Sequence, residues 1–171
     1  EQYASVAPTA FREAIGRFAP LFQSHEQQDS QEFLTFLLDG LHEDLNRVLQ
    51  RPPALELGET QQAELNRLPP QLASVVEWGL YRRRNDSVVV DAFQGQLRNQ
   101  LTCLTCGHTS TTYNAFMSLS LPVPAGRGMS QVALSQCLDA FVREEVLEKG
   151  NAWHCPQCKK PRRSTKRLSL A

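Results

Sequence analysis

Two Cys-x-x-Cys pairs, Cys103-Leu104-Thr105-Cys106 and Cys155-Pro156-Gln157-Cys158, take four of the five cysteines in this chain of 171 residues. Each pair can grip one metal ion from a tight turn, and two such turns supply the four thiolates of a tetrahedral Zn²⁺ site with sulfur at roughly 2.3 Å. Four thiolates fill the coordination shell and leave no position for water, so an ion held this way is structural. The demand on the fold is severe, because turns about fifty residues apart must meet and everything between them must fold to bring them together. The competing readings are two disulfides, or reduced cysteines packed as small apolar side chains. A thioredoxin-like redox pair needs a βαβ context, which neither motif has.

Eighteen basic and eighteen acidic residues cancel, so no net field draws the chain toward nucleic acid or anionic lipid. No apolar run reaches the length of a bilayer span, and Glu1 opens no signal-peptide pattern. Without a secretory signal, paired cysteines point to an intracellular, cytoplasmic or nuclear setting, where metal is expected and disulfides are not. The length suits one domain or part of a larger one. The chain has no initiator Met and stops inside an alternating apolar run at Leu170-Ala171, so a piece of a longer protein is expected.

Phe11, Ile15 and Phe18 share one face of a helix that Pro20 ends near Phe18. A stronger helix is expected from Ser30 to Leu49, where Leu34, Leu37, Leu38, Leu41, Leu45 and Val48 recur at spacings of three and four and predict a core-facing stripe. Residues 50–73 loosen between Pro52-Pro53, Gly58 and Pro69-Pro70, with a short helix near Thr60–Leu68, and read as a surface excursion. A further helix is expected over Ser74–Arg84. The period then becomes alternating, predicting strands at Ser87–Phe93, Gln96–Cys103, Thr109–Asn114, Phe116–Leu121 and Ser164–Leu170. Gly95 suggests a bulge or a close approach. Gly126 to Gly128 read as a loop and Ala133–Phe141 as a helix with Leu134, Leu138 and Phe141 on one face. Helices come first, then a metal-clipped antiparallel β region: an α+β chain.

Strand, Cys-x-x-Cys, turn, strand is the geometry of a zinc ribbon, and Gly107 supplies the permissive backbone such a turn needs. His108 and His154 adjoin the pairs and are weaker ligand candidates. Cys137 falls on an apolar helix face and reads as a buried small hydrophobe, since a nucleophilic cysteine wants an electropositive niche with a histidine base. No Ser-His-Asp set, phosphate-gripping glycine loop or metalloprotease histidine pair occurs, so no catalytic residue is assigned. In Ser24-His-Glu-Gln-Gln-Asp-Ser-Gln-Glu-Phe33, Asp29 can cap the following helix with Glu32 reaching back to the cap amide. Alternatively both carboxylates face a cleft and hold a basic peptide. The basic run from Lys159 to Arg167 reads as solvated loop and strand edge. Nucleic-acid contact is the sharper alternative, disfavoured by zero net charge and by the lack of nearby stacking aromatics other than Trp153.

Taken together these residues resemble the ubiquitin-specific protease family of deubiquitinating enzymes. The resemblance rests on Gln27-Gln-Asp-Ser-Gln-Glu-Phe-Leu34 with Leu37-Leu-Asp-Gly-Leu-His42, Arg84-Asn-Asp-Ser-Val88 with Phe93-Gln-Gly-Gln96, both Cys-x-x-Cys pairs, and Leu119-Ser-Leu-Pro122, in family order. It covers nearly the whole chain except 50–72. It implies a papain-like cysteine-protease hand, with a helical thumb portion at 1–49, a surface insertion at 50–73, and zinc-clipped β fingers and palm at 74–171. It implies ubiquitin and ubiquitinated proteins as partners, with Asp29 and Glu32 receiving ubiquitin's basic C-terminal tail, and structural zinc on Cys103, Cys106, Cys155 and Cys158. It also implies thiol-protease cleavage after ubiquitin's last glycine. None of the five cysteines and neither His25, His42, His108 nor His154 matches the family's nucleophile or catalytic histidine, so an inactive internal piece of a catalytic domain is expected. The alternatives are a non-catalytic ubiquitin-binding zinc-ribbon scaffold and, behind it, a nucleic-acid-binding zinc ribbon.

Overall fold

A computed structural model of the chain describes residues 5–24, 26–55, 57–124 and 131–171. The loop expected at Gly126–Gly128 and the imidazole of His25 lie outside the described residues. Helix α1 runs over Thr9–Phe18 and gives way to a 3₁₀ turn at Pro20–Gln23, as the proline predicts. Helix α2 follows over Ser30–Leu45. Phe22 packs edge-on against Phe33 with ring centres 5.1 Å apart, and Phe11 meets the same ring at 6.1 Å. These aromatic contacts fix α1 against the start of α2.

Helices α3 (Glu59–Leu65) and α4 (Pro70–Arg82) come next, with proline in the first turn of α4, where its missing N–H matters least. Residues Ser87–Phe93, expected as a strand, form instead the helix α5 over Val88–Phe93. The β-branched run Val88-Val89-Val90 favours a strand in isolation. Ser87 overrides it by capping the helix, its hydroxyl accepting the Val90 amide at 3.2 Å. Burial of Val89 and Val90, 3% and 1% exposed, holds the turn against α2.

Two further expectations on α2 are corrected. The helix ends at Leu45, not Leu49, because Asn46 leaves helical geometry to bond another segment. Only part of the leucine stripe is covered: Leu38 is buried and Leu37 and Val48 are half-buried, whereas Leu34, Leu41 and Leu45 are 50%, 43% and 49% exposed. The buried face is instead Leu38, His42 and Asn46, one residue per turn. It presses on the segment 84–90. The His42 ring nitrogen Nδ1 lies 2.8 Å from the Ser87 hydroxyl, and Nε2 lies 3.4 Å from Asn85 Oδ1. Asn85 donates through Nδ2 to the Tyr81 carbonyl at 3.3 Å, so its Oδ1 faces Nε2 as an acceptor; this places the imidazole proton on Nε2 and leaves Nδ1 to accept the Ser87 hydroxyl. On the rim, Arg82 pairs with Asp86 and, at 2.9 Å, with Asp91, while Arg47 reaches the same two carboxylates.

The β region is one four-stranded antiparallel sheet in the order β2-β1-β6-β3, made of β1 (Gly95–Cys103), β2 (Thr109–Phe116), β6 (Ser164–Leu170) and β3 (Glu145–Leu147). A separate hairpin pairs β4 (Trp153–Cys155) with β5 (Lys160–Arg162). The expected strand Phe116–Leu121 is absent; β2 continues unbroken through Asn114 to Phe116, and residues 117–121 are irregular. The close approach expected at Gly95 is real, since a Cβ there would stand 2.8 Å from the Phe116 ring. Helix α6 spans Leu134–Phe141 and buries Cys137 as expected, while Leu134 and Leu138 of the expected apolar face are exposed. Among the described residues no helix is long and apolar enough to cross a membrane.

Candidate metal centre and acidic helix start

The long gap between the two cysteine pairs is closed by strand pairing. β1 carries Cys103 at its end, and β6 lies alongside it with Cys103 opposite Ser164. The hairpin β4–β5, which holds Cys155 and Cys158, feeds directly into β6. The Leu104 amide donates to the Arg163 carbonyl at 3.0 Å, tying the first turn to the link between the second hairpin and β6. Both turns have the same backbone. Gly107 N–H closes onto the Cys103 carbonyl at 2.9 Å, and Lys159 N–H onto the Cys155 carbonyl at 2.8 Å. Gly107 and Lys159 both take positive φ, 72° and 54°, so the two turns superpose residue for residue in role.

Left-handed backbone penalises a residue with a Cβ by roughly 1–2 kcal/mol. Gly107→Ala should therefore lower stability by about that amount, read from the denaturant midpoint, even though the space around its Cβ position is open. An unchanged midpoint would show that this turn is not held in the left-handed region.

The sulfurs of Cys103, Cys106, Cys155 and Cys158 all lie within 4.8 Å of one another, and those of Cys106 and Cys155 are 3.6 Å apart. Sulfurs at the corners of a tetrahedron around one zinc ion are separated by roughly 3.8 Å, so the cluster has the right size for one ion. Cys103 and Cys155 are buried, Cys158 is half-buried and Cys106 exposed. Burial works against ionising Cys103, yet the amides of Cys106 and Thr105 and the neighbouring thiols bring it down to about 6. Cys106 is favoured by the His108 backbone, but desolvation and the three other sulfurs push it up to about 12. Four sulfurs competing for negative charge, with turn amides aimed at them, form a donor set that a divalent cation would neutralise. His108 and His154 contribute no atom to the cluster. His108 stacks on Trp153, with centroids 6.2 Å apart and an interplanar angle of 12°.

At the start of α2, Asp29 is the N-cap. Its Oδ1 accepts the amides of Gln31 at 2.7 Å and Glu32 at 3.0 Å. Oδ2 has no hydrogen bond to a described residue, and Asp29 lines a cleft of about 400 Å³ together with Glu26, Gln28 and Arg12. Capping and cleft lining are therefore compatible in one side chain. Glu32 does not reach back to the cap amide; it is exposed and outside the cleft lining. The sequence reading missed the His42–Ser87–Asn85 network and the Asn46 bridge, for which the only sequence signal was polar residues interrupting an apolar periodicity.

The family model described as ubiquitin carboxyl-terminal hydrolase matches residues 1–164. This chain belongs to that family. It is 43% identical over 166 residues to ubiquitin carboxyl-terminal hydrolase 4 of Saccharomyces cerevisiae, a match covering 97% of this chain and 18% of the yeast protein. It is 45% identical to ubiquitin carboxyl-terminal hydrolase 2 of Gallus gallus, covering 97% and 44% respectively. The chain thus spans less than half the length of these relatives. A solved SAGA DUB module bound to monoubiquitin aligns with 91% of this chain and 27% of that one, at 22% identity and a TM-score of 0.57, a likeness of fold. In this family member, helices α1 to α5 precede a sheet whose far end carries the four-sulfur cluster.

Proposed function

We propose that this chain is the ubiquitin-gripping part of a deubiquitinating thiol protease that cleaves ubiquitin from protein conjugates after its C-terminal glycine. The family match over residues 1–164 carries the reading. In it, residues 1–49 belong to the thumb, 50–73 to a surface insertion, and 74–171 to the palm and fingers. Cys103, Cys106, Cys155 and Cys158 hold one structural Zn²⁺, which supplies a rigid crosslink and no chemistry. Asp29 and Glu32 receive ubiquitin's basic tail; the Oδ2 of Asp29, unbonded among the described residues, lies at the cleft and supports its part, whereas Glu32 would have to act from outside the cleft lining. The attacking cysteine and its histidine base come from sequence outside these residues. The protein works inside the cell, in cytoplasm or nucleus, on ubiquitinated proteins.

The test is hydrolysis of a fluorogenic ubiquitin C-terminal amide by the full-length protein. Turnover is expected; binding of ubiquitin without turnover would replace the protease with a ubiquitin-binding scaffold. Asp29→Ala is expected to raise KM about tenfold, the size of one charge-assisted hydrogen bond, while losing only about 1 kcal/mol of stability as a cap. If stability falls and KM does not, Asp29 is a cap alone.

A further inference from the structure

A cavity of about 240 Å³ lies between the start of α4 and the β1–β2 hairpin. Its floor is one face of the hairpin, with Arg98 opposite Tyr113, Gln100 opposite Thr111, and Thr109 beyond them. Arg98, Gln100, Thr109, Thr111 and Tyr113 line it, and Leu65 and Ala73, both buried, wall it from α3 and α4. The volume exceeds a single water, whose share is about 30 Å³, and falls below the several hundred Å³ of a drug-sized pocket. It suits one functional group.

Among the described residues the charge in that cavity has no counter-ion. Arg98 is half-buried, its Nε is shielded from solvent with no hydrogen-bond partner, and its one bond is from Nη2 to Gln100 Oε1 at 3.4 Å. Among the described residues no carboxylate pairs with it. Glu77 on α4 lines the neighbouring cavity beyond Tyr113 and forms no ion pair with it. The next strand adds positive charge on the same face, because Arg167 stands opposite Gln100. A guanidinium whose shielded Nε is left unpaired is destabilising, and guanidinium beside a hydroxyl is a donor set that planar or tetrahedral oxyanions take.

We propose that Arg98, with the hydroxyl of Thr111, forms an anion site on the sheet that takes a single oxyanion group, phosphate, sulfate or carboxylate; the Thr109 hydroxyl beside it donates to the Gly107 carbonyl at 3.5 Å. The site shares no residue with the four-sulfur cluster or with the Asp29 cleft, and it does not depend on the protease reading.

The probes are inorganic phosphate and acetate, titrated against the full-length protein at constant ionic strength with chloride as the control. Saturable thermal stabilisation by phosphate identifies a tetrahedral oxyanion, and by acetate a carboxylate; either supports the site. In Arg98→Gln the half-saturating concentration should rise at least about tenfold, as expected for loss of the charged partner. Without phosphate the variant should be as stable as the parent or more so, since an unpaired charge has gone. No saturable response beyond chloride, or an equal response in the variant, overturns the proposal. So does a variant destabilised in phosphate-free buffer, because the guanidinium would then be satisfied within the fold.

Discussion

Cys155→Ser should abolish metal binding at the four-sulfur cluster and dissolve the order of the β region while leaving the helices folded. Cys155 is fully buried, its sulfur lies 3.6 Å from that of Cys106, and it receives the Cys158 amide at 3.5 Å. The hairpin that carries it has only three residues in each strand and meets the rest of the sheet through the turn of Cys103–Cys106. A hairpin that short has little independent stability, and metal-binding free energy in such sites is folding free energy. Elemental analysis should fall from about one zinc per chain to a small fraction of that. Amide exchange should accelerate across β1, β6 and β4–β5 but not across α2. Chelator treatment of the unaltered protein should give the same exchange pattern. Retained metal in the variant would eliminate the four-thiolate site.

Asn46→Ala should be the most damaging single change among the helices. The Asn46 side chain makes three hydrogen bonds: Nδ2 donates to the Arg84 carbonyl at 3.0 Å, and Oδ1 accepts the amides of Val48 at 3.1 Å and Asp86 at 3.0 Å. It is 7% exposed, so little water can replace them. Each orphaned buried group costs about 1–3 kcal/mol, which makes a loss of about 3 kcal/mol a conservative sum. For a domain of this size that corresponds to a fall in Tm of about 6–12 °C. Leu49→Ala is the matched control, because Leu49 is 92% exposed and should change almost nothing. If both variants melt alike, the Asn46 bridge does not hold α2 to the 84–90 segment.

Asn46 and Ser87 also show where sequence reading stops. A helical period predicts that some face of α2 is buried but not which one when the competing face carries leucines. The choice fell on the face of Leu38, His42 and Asn46 because segment 84–90 offers His42 and Asn46 hydrogen-bond partners. Leu34, Leu41 and Leu45 meet no such partner among the described residues. The same partnership converted Val88–Phe93 from an expected strand into a helix. Short strands such as β3, β4 and β5, of three residues each, carry no period long enough to detect.

By itself the sequence determined the features whose physics is local. The two cysteine turns, the stop at Pro20, the Asp29 cap, the left-handed Gly107 and the alternating strands β1 and β6 all follow from residue type at fixed spacing. Tertiary structure decided what depends on partners distant in the chain: the convergence of four sulfurs, the buried face of α2, the helical state of 88–93 and the unpaired Arg98. Those outcomes are set by which polar groups can satisfy one another once apolar surface is buried, and one-dimensional spacing does not encode that.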